Sequence, residues 1–408
     1  LIGKNIREVT VRILVFAMAL LATAGACTSQ ESRLPQPGGD YPVGTTYLVF
    51  LDETREELFN DQAGDHREIT ARAWYPGEAT EKARTAPYFE NAEAFVARFG
   101  YSEVFLGLET NSRLDVPVSG RKDKYPVVLF NHGWGEHAAQ NTILMENFAS
   151  HGYVVISLAH HYEAKYWAYP DGRLEYIDTA SSRFQSIMEE QNKPGIMEMF
   201  QAMFTTRGAA AQESLFRNTV RAMPTFLGES ARMWADDISF VIDRLDSLNR
   251  AEGLFMGKLD LGRIGVMGMS MGGAAAAQAC VGDDRITAAM NIDGGLLGDL
   301  PDTSVAQPIF FMNSRRFIDY EDVFAAHARG DIYILTIRDA DHYDFTDLTL
   351  LHHEHPMMGT VDGMRMIDIM NDYTLAFFDL YLKGDKPRIL TEEERPFPEA
   401  ELRVYKRS

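Results

Sequence analysis

Apolar and polar positions along the chain fall into two periods. Continuous apolar runs of strand length occupy residues 47–51, 69–75, 127–131, 154–158, 264–267, 286–292, 309–312 and 332–337. Runs without polar alternation suit strands covered on both faces. Between and after the later runs the spacing becomes helical. Trp234, Ile238, Val241, Ile242, Leu245 and Leu248 make one stripe, with Asp236, Asp237, Asp243, Arg244 and Asp246 on the wet side. Met366, Ile369, Met370, Tyr373, Phe377, Leu380 and Tyr381 make a second, stopped by Gly384 and Pro387. Strands first, then strand and helix in alternation, predict an α/β fold: a mostly parallel central sheet flanked by helices, with antiparallel strands at its start.

Residues 162–230 break the rhythm. No strand pattern is visible there, yet Ile196, Met199, Phe200 and Met203 share a helical face, broadened by Met197 and Phe204. The expectation is a helical cap insertion, with Met199, Phe200 and Met203 as pocket candidates. The alternative is that these side chains only pack on the body.

The amino terminus carries Lys4, Arg7 and Arg12, an apolar run over 13–21, and small residues Ala22, Ala24, Gly25 and Ala26 before Cys27. That order is a secretory signal's, and the run is short for a bilayer span. Small residues directly ahead of Cys27 resemble a bacterial lipoprotein processing site, although Ala24 stands where a larger aliphatic residue is usual. The expectation is export, either to the periplasm or membrane-anchored through a lipidated Cys27, with plain secretion as the alternative. Residues 28–44, rich in Ser, Pro and Gly, predict a flexible linker. The folded domain is then expected over 45–390, with a surface tail over 391–408.

Composition narrows the field. With 46% hydrophobic and 24% charged residues the chain is not a disordered one. A net charge of -20 opposes binding to nucleic acid and to anionic lipid surfaces. Two cysteines, Cys27 and Cys280, cannot build a disulfide scaffold or a four-cysteine metal site.

The chemistry centres on Gly268-Met269-Ser270-Met271-Gly272, set between an apolar strand and an alanine-rich helix start. A Gly-x-Ser-x-Gly pentapeptide in that context is a nucleophile elbow, in which side chains at the flanking glycines would collide with neighbouring backbone. A serine hydroxyl needs a base, and the base needs a carboxylate. His342, after the run at 332–337, is the best base; Asp293, after the run at 286–292, is the best acid, with Asp319 and Asp339 ranked lower. The Met271 amide and the Trp134 amide of His132-Gly133-Trp134-Gly135 are the expected oxyanion donors.

These residues also carry a family resemblance. YPVVLFNHGWG, ASHGYVVISLAHH, GMSMGG, NIDGG, PIFFMNS and the His342 segment ending DFTD resemble the platelet-activating factor acetylhydrolase group of α/β-hydrolases, close to dienelactone-hydrolase-like esterases. The resemblance spans most of 125–347 outside the insertion. It implies an acid after the sixth strand, which favours Asp293, an oxyanion amide at Trp134, and calcium-independent hydrolysis of short or oxidised acyl esters, phospholipid esters included.

The reading is a serine carboxylic-ester hydrolase acting on a small-molecule ester or lipid, without cofactor or metal. Polyester or cutinase-like hydrolysis and peptide hydrolysis are the enzymatic alternatives; a non-catalytic envelope lipoprotein is the alternative from another class. His132 and His160 are further pocket candidates, with a structural role weighed against this for His160 and His161. Glu136 and His137 read as helix capping. His352, His353, Glu354 and His355 could hold a zinc ion, but adjacent residues rarely converge on one ion, so a solvated loop is expected.

Overall fold

The computed structural model describes residues 33–407 except 61, 79–81, 192, 194–213, 215–224, 315–319, 353–354 and 392–393. Its strands are β1 (Val43–Glu56), β2 (His66–Pro76), β3 (Thr85–Pro87), β4 (Glu109–Leu114), β5 (Tyr125–Asn131), β6 (Val154–His160), β7 (Tyr166–Ala168), β8 (Leu174–Tyr176), β9 (Leu259–Met269), β10 (Ile286–Ile292), β11 (Ile309–Asn313), β12 (Ile332–Ile337) and β13 (Ala400–Tyr405). Eleven of them form one sheet in the order β13-β12-β11-β10-β9-β5-β6-β2-β1-β4-β3, while β7 and β8 make a separate hairpin. The strands β6, β5, β9, β10, β11 and β12 are parallel neighbours. β2 runs antiparallel to both β6 and β1. All the predicted apolar runs lie within this sheet, and the architecture is that of an α/β-hydrolase.

The continuous apolar runs are explained by helices on both faces. Val127 and Leu129 of β5 turn toward the helices Thr225–Arg250 and Met271–Ala279, meeting Trp234, Ile238, Val241 and the alanines of the shorter helix. Val128 and Phe130 turn the other way, toward Met145 and Phe148 of the helix Thr142–Ser150 and Phe377 of the helix Gly363–Phe378. Each strand therefore serves two cores. Among the described residues no helix is long and apolar enough to cross a membrane.

Three expectations are corrected. The described part of the supposed linker is pinned to the body: Leu34 is buried, and the amides of Gly38, Gly39 and Tyr41 donate to Asn147 Oδ1, Ser150 Oγ and the Ser150 carbonyl. Small residues were needed for that approach, since a Cβ at Gly39 would lie 2.1 Å from the Ser150 carbonyl oxygen. The 162–230 insertion is not wholly helical; it opens with the β7–β8 hairpin, followed by the helix Ser182–Gln191 and the start of the helix Thr225–Arg250. The supposed surface tail supplies β13, which pairs antiparallel with β12 from Ile332 opposite Tyr405 to Ile337 opposite Ala400. Its charged residues hid the alternation of buried Ala400 and Leu402 with outward neighbours.

One buried ion cluster fixes the long helix to the sheet. Asp237, fully buried, accepts from Arg67 Nε at 3.2 Å and Nη2 at 2.7 Å, and pairs with Arg55 at 2.9 Å and His160 Nδ1 at 2.8 Å. Burial opposes the charged carboxylate, but Arg67 and His160 outweigh it and hold Asp237 well below the usual carboxylate range. Removing Asp237 leaves Arg67 buried with Glu57 alone and without its main counter-charge. Asp237→Ala is expected to lower stability by about 3–5 kcal/mol in urea unfolding, whereas removing the exposed Asp246 that pairs with Arg250 changes it little; equal effects would discount the cluster.

Candidate active site

Ser270 stands where β9 turns into the helix Met271–Ala279, with φ 58° and ψ −119°. That conformation is unfavourable for a residue with a Cβ and persists only where the surroundings enforce it. Here they do so by close approach. A Cβ on Gly268 would lie 2.4 Å from the Gly272 backbone, and one on Gly272 would lie 2.1 Å from the Asn131 carbonyl oxygen. The Ser270 amide donates to the Ile292 carbonyl at 2.8 Å, tying the turn to the end of β10.

Asp293 follows β10 with φ 48°, and its amide donates to the Met312 carbonyl at 2.8 Å. Its carboxylate is buried. Oδ1 accepts the Ser314 amide at 2.7 Å, and Oδ2 lies 2.6 Å from His342 Nδ1. The other imidazole nitrogen, Nε2, lies 3.1 Å from Ser270 Oγ. Three residues from separate strand ends thus form one line of hydrogen bonds. His342 opens a short 3-10 turn, His342–Phe345, closed by Asp341 and Asp344. Asp344 Oδ2 receives the amides of Asp341 at 2.7 Å and Gly359 at 2.6 Å, which moors the loop carrying the imidazole. Asp339 is exposed and Asp319 lies outside the described residues, so it is Asp293 that meets the imidazole.

The loop after β5 is oriented by its neighbours. His132 Nε2 accepts the His160 amide at 3.2 Å, so Nδ1 carries the proton and donates to the Gly133 carbonyl at 2.7 Å. Burial, then repulsion from His160, pushes the His132 pKa down to about 3, keeping the ring neutral in that tautomer. The Glu136 amide also donates to the Gly133 carbonyl, at 3.0 Å. Because a trans peptide directs N–H opposite to C=O, this fixes where the Trp134 amide points. That amide makes no hydrogen bond among the described residues, whereas the amides of Gly133 and Gly135 are engaged by Gln140 and the Glu163 carbonyl. Ser270 is near: a Cβ on Gly133 would lie 3.5 Å from Ser270 Cβ. Met271, as the first residue of its helix, has an amide with no intrahelical acceptor. The arrangement offers a hydroxyl, an imidazole, a carboxylate and two amides without a hydrogen-bond acceptor among the described residues, all at one rim of the sheet.

The pocket assignments fare differently. His132 and His160 are fully buried with both ring nitrogens engaged, the second between Asp237 and Asn131, so neither lines an open pocket. His161 is also internal, with Nε2 3.1 Å from the Thr70 amide and its ring stacked on Trp167. Met199, Phe200 and Met203 lie outside the described residues. So do His353 and Glu354; His355 packs on Tyr343 with ring centroids 4.2 Å apart, and no group of three metal-ligating side chains occurs among the described residues. Glu136 is not a helix cap: its Oε1 accepts from Tyr343 at 3.1 Å and pairs with Lys165 at 3.4 Å. Sequence reasoning also passed over Gln140 and Glu163, which hold the loop around Trp134. Their signal was present only as polar residues in otherwise apolar surroundings.

Comparison with known proteins agrees with the fold. The family model for platelet-activating factor acetylhydrolase, isoform II, matches residues 26–193 and 243–388, passing over much of the insertion. The platelet-activating factor acetylhydrolase of Canis lupus familiaris is 25% identical over 404 residues, covering 91% of this chain and 82% of its own length. That of Bos taurus is 25% identical over 400 residues, covering 88% and 80%. Among solved structures, a ferulic acid esterase from Streptomyces cinnamoneus superposes with a TM-score of 0.69 at 25% identity, covering 92% of this chain and 99% of the other. A sheet with a serine elbow at its rim and relatives of this kind make the chain a carboxylic ester hydrolase, and it belongs to the platelet-activating factor acetylhydrolase isoform II family.

Proposed function

We propose that ester hydrolysis proceeds through a covalent acyl-enzyme on Ser270, in a Ser270–His342–Asp293 triad. The observation that carries this is the unbroken line from Ser270 Oγ through His342, 3.1 Å on one side and 2.6 Å on the other, to a buried carboxylate. The hydroxyl attacks the ester carbonyl as His342 Nε2 takes its proton. Asp293 holds Nδ1–H and stabilises the imidazolium, without itself taking the proton. Negative charge on the carbonyl oxygen is met by the Trp134 and Met271 amides, preset before the substrate arrives. The imidazolium then protonates the leaving alcohol, and water, deprotonated by the same nitrogen, releases the acid.

The substrate class that fits is a short-chain or oxidised acyl ester, phospholipid-type esters included, as the names of the mammalian relatives suggest. A second reading, aromatic acyl esters, is favoured by the likeness to the ferulic acid esterase. The insertion over 162–230 serves as the cap on this site, and the amino-terminal residues serve export, with Cys27 as the lipid-bearing residue.

A fluorophosphonate probe is expected to label the wild-type protein at Ser270 and to leave Ser270→Ala unlabelled; labelling of the variant would remove Ser270 from its role. Asp293→Asn is expected to lower kcat by about 10⁴-fold with an unchanged melting temperature, and near-normal turnover would move the acid elsewhere. An acyl-length series of nitrophenyl esters, run beside an oxidised phospholipid and a feruloyl ester, should give the highest kcat/KM for acetyl to butyryl and for the phospholipid. Preference for the feruloyl ester would establish the second reading.

A further inference from the structure

Glu163 is a buried carboxylate that the triad does not use. It lies just after β6, at the beginning of the insertion, and is fully buried. Its Oε1 accepts from Trp134 Nε1 at 3.0 Å and from Ser230 Oγ at 2.5 Å, and its Oε2 accepts from Trp234 Nε1 at 2.6 Å. Its own carbonyl accepts the Gly135 amide at 2.8 Å. One residue therefore grips Trp134 from two sides, by the indole and by the peptide that follows. Two positions on, the Lys165 amide donates to the Glu136 carbonyl at 2.7 Å, extending the seam along the same loop.

We infer that Glu163 is a positioning residue for the oxyanion hole, and that through it the insertion fixes the direction of the Trp134 amide. The inference rests on Trp134 being an oxyanion donor. The peptide before Trp134 is set by His132 and Glu136 at the Gly133 carbonyl; the peptide after it is set by Glu163. With both planes held, the φ and ψ of Trp134 have no freedom left, and its N–H stays aimed when charge develops on the substrate. The cost is a carboxylate taken out of water. Burial is the larger effect and raises its pKa; the bonds from Ser230, Trp234 and Trp134 oppose it, and only the ionised form can accept all three donors. A glutamine at this position cannot replace it, because its NH2 would face at least one of those donors.

The test compares an ester with its thionoester, in which C=S replaces C=O. Sulfur accepts hydrogen bonds poorly, so the oxo-to-thiono ratio of kcat/KM reports how well the amides serve the oxyanion. The wild-type enzyme is expected to favour the oxoester strongly. Glu163→Gln should lower kcat on the oxoester and narrow the ratio by about tenfold, with KM little changed. Trp134→Phe, which removes the indole N–H together with one of its two fused rings, should narrow the ratio in the same direction and stands in if Glu163→Gln does not fold. Ser230→Ala removes a Glu163 partner that does not touch the loop, and should keep the wild-type ratio even where stability falls. An unchanged ratio in Glu163→Gln and Trp134→Phe would overturn the inference, as would an equal narrowing in Ser230→Ala. A wild-type enzyme that is not phosphonylated at Ser270, or that lacks a preference for the oxoester, would instead overturn the catalytic reading beneath it.

Discussion

Everything at the site depends on how closely three pieces of backbone cross beneath Ser270. The end of β5, the turn after β9 and the turn after β10 touch there, and Gly268, Gly272 and Gly294 permit contacts that any Cβ would forbid. A serine held at φ 58° costs on the order of 1–3 kcal/mol. The parallel strands on either side, buried on both faces, make relaxation of that turn more expensive than the strain. The hydroxyl is therefore raised above the rim by the packing of the sheet, and not by any contact of its own.

The surroundings of the rim are crowded with imidazoles, yet one of them stands apart. His132, His137 and His161 are fully buried, and burial drives each toward its neutral form. His132 spends both ring nitrogens on backbone groups that orient the loop after β5, and His161 Nε2 meets the Thr70 amide and hydroxyl on β2. His342 differs by being partly exposed and by presenting Nε2 to a hydroxyl and Nδ1 to a carboxylate. Buried carboxylates have the complementary task. Asp237 holds the long helix, Asp344 the histidine loop, Glu136 and Glu163 the loop around Trp134, and all but Asp344 receive donors from segments far apart in sequence. The net negative charge of the chain thus has an internal counterpart that is structural.

Much of this was legible in the residues themselves. The sheet strands that carry the site declared themselves as apolar runs, because strands buried on both faces tolerate little else. Ser270, Asp293 and His342, which lie on one line of hydrogen bonds, stood out because each follows such a run in a residue type with no reason to be there for packing. What escaped detection shares one property: it depends on partners distant along the chain. Thr85–Pro87 and Glu109–Leu114 are short and polar, and are strands only by pairing with each other and with β1. His160 sits at a strand end like Asp293, and partners on a distant helix, such as Trp234 and Asp237, the latter 77 residues away, make it internal. Glu163 looked like one more acid in an irregular stretch until Ser230 and Trp234 were brought over it.

The pairing of β13 with β12 has a consequence for how the molecule keeps to itself. β12 leads directly into the turn that holds His342, and without β13 it would present an open row of amides and carbonyls to any extended chain nearby. With β13 in place the outermost strand is short and carries Glu401, Arg403 and Lys406 at or beside it, groups that resist continuation of the sheet. The same few residues that close the sheet thereby guard against aggregation on the flank nearest the base, so colloidal behaviour and the integrity of that flank are bound to one another.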